Sequence, residues 1–138
     1  MGLCAMRQGL RGTRGFTLIE LLVVVSLIVV LASIGMIQYS NSVQGTREAV
    51  LKEDLFRMRD AIDQFYADKN RYPRTLDELV SEKYLRAIPV DPVTQSADTW
   101  QTVMAEPDPM NPSADIGIYD VKSGSEAVSL DGSNYADW

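Results

Sequence analysis

Two apolar patterns divide the chain. From Phe16 to Ile37 almost every position is apolar, the single charged side chain in the run is Glu20, and Leu21 to Ile37 carries no charge. These 22 residues form a helix of about 33 Å, long enough to span a hydrocarbon core of roughly 30 Å. Further along, the pattern becomes periodic: within 47–68, Leu51, Leu55, Met58, Ile62 and Phe65 recur at spacings of 4, 3, 4 and 3. That spacing predicts one face of an amphipathic helix, packed on its own domain. Glu48–Lys52 and Glu53–Arg57 are i,i+4 pairs in the favourable order. Between the two patterns, Ser40 to Gly45 is polar and weakly helical, which predicts a local loosening of the helix.

Past the periodic stretch, local chemistry sets the elements. Pro73 cannot continue a helix and biases Tyr72 toward an extended shape, so the helix should end near Asn70. Thr75-Leu76-Asp77-Glu78 reads as a capping box, hydroxyl and carboxylate each satisfying a free N–H, and should open a short helix reaching about Tyr84. Ile88 to Pro92 reads as an extended connector braced by proline, 99–104 as a strand, 107–113 as a loop and 116–121 as the returning strand. Lys122 to Ser129 reads as a turn-rich loop and Leu130 to Trp138 as a short tail. Trp100 and Tyr119 are expected to pack toward the Leu51–Phe65 stripe. The fold class is therefore α+β: a long N-terminal helix that spans a membrane, with a small antiparallel-sheet head. The expected organisation is a leader over 1–15, a membrane helix over 16–37, its continuation over 38–70 and the head over 71–138.

Charge orients this arrangement. The first fifteen residues hold Arg7, Arg11 and Arg14 and no acid, which leaves ten basic against 19 acidic side chains from Phe16 onward. A basic leader stays cytoplasmic, and the acidic body is exported. So acidic a body argues against a nucleic-acid surface, which needs a basic patch. The one cysteine, Cys4, lies in the leader, so the exported part has no disulfide. There is no histidine, nucleophile elbow, phosphate loop or metal-ligand cluster, and the protein reads as structural rather than catalytic.

Two plain readings of the apolar run compete. One is a secretory signal peptide, with Val30-Leu31-Ala32 as its cleavage site. Against it, the run is longer than the usual 7–15 residues and contains a glutamate. The other is a simple anchor, which leaves Glu20 unexplained: a charged side chain costs on the order of 3 kcal/mol at the bilayer centre, less near the interface, and an acid so placed should have a partner.

Gly15-Phe16-Thr17-Leu18-Ile19-Glu20, after a short basic leader and opening an apolar span, resembles the processing and methylation motif of type IV pilins and type II secretion pseudopilins. The resemblance implies that a membrane peptidase cuts after Gly15 and methylates the new amine of Phe16. It also implies that Glu20 pairs with a neighbouring subunit's N-terminus during assembly. In the body, Asp68-Lys69-Asn70-Arg71-Tyr72-Pro73, Ile88-Pro89-Val90-Asp91-Pro92, Asp131-Gly132 and Ala136-Asp137-Trp138 are similar to the major pseudopilin of type II secretion. The implied protein is an inner-membrane, single-pass subunit with its head in the periplasm. The implied partners are copies of itself in a homopolymer, the prepilin peptidase, minor pseudopilins, and an assembly platform with its ATPase. Rival readings are a type IV pilin for adhesion, motility or electron transfer, disfavoured by the lack of a disulfide-bounded loop, and an anchored periplasmic binding domain that does not polymerise.

The chain departs from the family in two places. Many members carry proline at the position of Ile37, and some carry glycine at that of Val29, so a proline-driven break is doubtful and Gly35 and Gly45 remain the weak points. Members also bind calcium in the C-terminal loop, and the resemblance offers Asp131, Asp137 and the carbonyl of Leu130 as ligands, in a segment short of further acids.

Overall fold

The computed structural model describes residue 2 and residues 15–112 and 115–138; the leader arginines, Cys4 and Ser113 lie outside the described residues. In chain order the elements are α1 (Leu18–Lys69), α2 (Leu76–Ser81), β1 (Gln101–Met104), β2 (Ile118–Lys122) and a closing 3-10 turn (Tyr135–Asp137). The chain forms two compact units, Met1–Gln38 and Tyr39–Trp138.

In the first unit the helix is apolar all round, is long enough to cross a membrane, and has none of its apolar window buried. Its two serines turn their hydroxyls back onto the helix: Ser26 donates to the Leu22 carbonyl and Ser33 to the Val29 carbonyl, both at 2.8 Å. A hydroxyl satisfied within its own helix is tolerated where no water is available.

The second unit is the head, built on one face of the remaining helix. Leu51, Leu55, Met58, Ala61, Ile62 and Phe65 are at most 2% exposed and form the core with Leu79, Trp100, Ile118, Val121 and Tyr135. The stripe expected from periodicity is thus the core face, with Ala61 added. The loosening expected over 40–45 does not occur, because α1 is unbroken there. Tertiary contacts override the weak propensity: Gln44 donates to the Val128 carbonyl and the Tyr135 hydroxyl, and Gly45 lies against Leu130.

The helix stops as expected, with Asn70 at φ 53° and Pro73 just beyond. At α2 the Thr75 hydroxyl accepts from the Glu78 N–H, but the Glu78 carboxylate accepts from the Arg74 N–H at 2.7 Å rather than from Thr75. Its other oxygen takes Arg71 at 2.6 Å. α2 ends at Ser81, short of Tyr84, because Lys83 adopts φ 66° and turns the chain. Tyr84 is released to pack edge-on against Phe65 and to donate to Asp68.

The connector after Ile88 is not extended throughout. It folds into a tight turn closed by an Asp91–Ser96 bridge. Asp91 is fully buried, accepting from the Val93 N–H and the Ser123 hydroxyl at 2.8 and 2.6 Å. β1 pairs antiparallel with β2, Gln101 opposite Lys122 and Met104 opposite Ile118. Both strands start two residues later than expected. The register shifts between Val103 and Met104, leaving Tyr119 without a partner. That bulge resets the alternation of side chains, so Ile118 and Val121 face the core while Tyr119 is exposed. Trp100 packs inward as expected, donating its indole N–H to the Pro89 carbonyl at 2.7 Å. Tyr119 does not: it lies edge-on to Tyr72, outside the core.

Candidate functional site

The charged start of the apolar helix is the first site. Thr17 immediately precedes α1; its hydroxyl accepts from the Glu20 N–H at 3.2 Å and its carbonyl from the Leu21 N–H at 3.0 Å. Thr17-Leu18-Ile19-Glu20 has the spacing of a helix cap, and Glu20 sits in the first turn, where an acid suits the free N–H groups and the positive end of the helix dipole. The cap went unread in the sequence, although its T-x-x-E signature is the one that marks Thr75–Glu78. Glu20 is exposed and has no ion-pair partner among the described residues. Phe16 is 84% exposed, outside the helix.

Gly15 is informative for what does not constrain it. A Cβ there would meet nothing within 4 Å, and its φ is not positive. The fold therefore has no need of glycine at this position. At Gly124, by contrast, a Cβ would lie 1.9 Å from the Thr99 carbonyl oxygen.

The tail is the second site, and α1 organises it. One Glu48 carboxylate oxygen accepts from the Tyr135 hydroxyl and the Leu130 N–H, both at 2.8 Å. Burial pushes the Tyr135 phenol above its ordinary range. Arg59 donates to Asp120 at 2.7 Å, to the Val121 carbonyl at 3.0 Å and to the backbone oxygen of Trp138. Lys52 stands 4.5 Å from the centre of the Trp138 ring. Asp131 accepts from the Ser129 hydroxyl and from both the hydroxyl and N–H of Ser133; these bonds hold its pKa at about 2. Asp137 lies in the closing 3-10 turn. Among the described residues no three acidic, histidine or cysteine side chains converge. The sequence marked Glu48 only as an i,i+4 partner of Lys52 and did not mark Arg59; their partners in β2 and the tail lie 61 to 87 positions away.

Residues 10–36 match the family described as the prokaryotic N-terminal methylation motif. Over 95 residues the chain is 32% identical to type II secretion system core protein G of Klebsiella pneumoniae, covering 57% of this chain and 68% of that protein. The protein of the same name from Aeromonas hydrophila is 29% identical over 98 residues, 59% of this chain and 68% of its own length. That from Pectobacterium carotovorum is 32% identical over 82 residues, which span 49% of its length. No solved structure gives a significant match.

Proposed function

The chain belongs to the family of type II secretion system core protein G, and we propose that it is a structural subunit of a secretion pseudopilus. In this reading a prepilin peptidase cuts after Gly15 and methylates Phe16. The apolar helix then holds the subunit in the inner membrane with its head in the periplasm, until a platform and its ATPase add it to the filament beside minor pseudopilins. Growth of the homopolymer drives folded proteins across the outer membrane.

One observation carries the proposal: an apolar helix with none of its apolar window buried begins on a capped turn that holds an acid without an ion-pair partner among the described residues. The apolar faces call for other helices or lipid. Glu20 calls for a cation, and the amine freed at a neighbour's Phe16 supplies one. Coulomb attraction at low dielectric is strong but offset by desolvation, so the pair fixes register more than it adds stability. The openness of Gly15 fits the same reading, since the demand for glycine then comes from the peptidase rather than from the fold.

Glu20→Leu tests the pairing. The variant should insert and be cut normally, because the cut depends on Gly15, yet fail to assemble, and secretion should fall. Normal filaments and wild-type secretion from Glu20→Leu would show that no such pair exists. A chain that starts at Ser33 on N-terminal sequencing would instead make the segment a signal peptide.

A further inference from the structure

Residues 128–138 make their turns against α1, and each turn ends on a partner of its own chain. Glu48 takes Leu130 and Tyr135; Arg59 takes the backbone of Trp138; the Trp138 indole donates to the Ser133 hydroxyl at 2.8 Å, and that hydroxyl donates to Asp131 at 2.6 Å. Gly132, at φ 91°, allows the reversal on which Ser129 and Ser133 meet.

We propose that this segment is a metal-independent clasp, closed on α1 by Glu48 and Arg59, and that it replaces the calcium ion which the resemblance to pseudopilins implies. The residues present do not suit that ion. Calcium takes six to eight oxygen ligands. Asp131 has one oxygen committed to three donors. The surroundings are also of the wrong sign. Lys52 and Arg59 line the same hollow as Asp131 and Trp138. A dication there would meet two fixed positive charges, whereas an ammonium over an indole face and a guanidinium on a carbonyl are already favourable. The clasp goes beyond the pseudopilus reading and does not depend on polymerisation.

Thermal unfolding of the full chain in detergent micelles, with millimolar calcium or with a chelator, tests the proposal. The midpoint should be the same in both. Asp131→Asn and Glu48→Gln should lower the midpoint equally with and without calcium. In Glu48→Gln, hydrogen exchange should quicken in peptides covering 128–138 and stay slow over 51–65. If Glu48→Gln does not fold, Ser133→Ala, which removes only the hydroxyl between Trp138 and Asp131, should show the same local quickening. A midpoint that rises by several degrees with calcium overturns the proposal. So does wild-type exchange over 128–138 in the folded variant.

Discussion

The two halves of α1 are equally helical and both rich in apolar residues, yet they meet opposite fates. Leu21 to Ile37 presents its large apolar side chains at 44–76% exposure, while Leu51 to Phe65 buries its stripe to 2% or less. The difference lies in arrangement rather than in amount. An apolar surface that goes all round cannot be covered by one small head, whereas a stripe at helical spacing can. The second half therefore finds its solvent inside the chain, while the first is apolar all round and long enough to cross a membrane.

The sharpest way to break the comparison is at the core face. Truncating a buried phenylalanine to alanine costs about 3–5 kcal/mol, much of the stability of a small domain. Phe65→Ala should therefore melt the head far below the wild type or leave it open to proteolysis; an unchanged midpoint would remove Phe65 from the core. A smaller effect is expected from acid. Hydrogen bonds from Ser129 and Ser133 hold Asp131 at about 2, and the hydrogen bond from Arg71 lowers Glu78 below its ordinary range. Because both carboxyls are depressed in the folded state, their contribution is complete above their ordinary values, about pH 5, and is lost as pH falls, that of Asp131 toward 2. Midpoints measured from pH 5 downward should drop through that window, and Asp131→Asn should shallow the drop. The smallest effect is expected in the other half. Leu27 is 58% exposed and is not one of the core residues, so Leu27→Ala should leave the melting of the head unchanged. A loss comparable to that of Phe65→Ala would mean that the two halves share a core.

What could be read from the sequence was what depends on near neighbours. The membrane run, the stripe, the stop before Pro73 and the cap at Thr75 each follow from residues a few positions apart. Gly15, Phe16 and Glu20 were legible as a motif, but the reason Gly15 stands out, its freedom from any demand of the fold, required the structure. The features that escaped join distant parts. Tyr119 points outward because of a one-residue slip in pairing, and periodicity cannot show a slip. Asp91 looked like part of a connector until Ser123 met it from 32 positions away. The polar 40–45 segment stays helical because the tail holds it.

The small sheet also bears on solubility. A two-stranded sheet has two open margins, and margins invite pairing with a second molecule, a hazard for a protein proposed to crowd against its own copies. Along β2 the margin is occupied: the Ile118 N–H donates to the Pro73 carbonyl at 2.7 Å, and Arg59 takes the Val121 carbonyl. Along β1 it is only four residues long. Heads brought side by side thus have little free backbone to zip together, which guards against amyloid-like stacking.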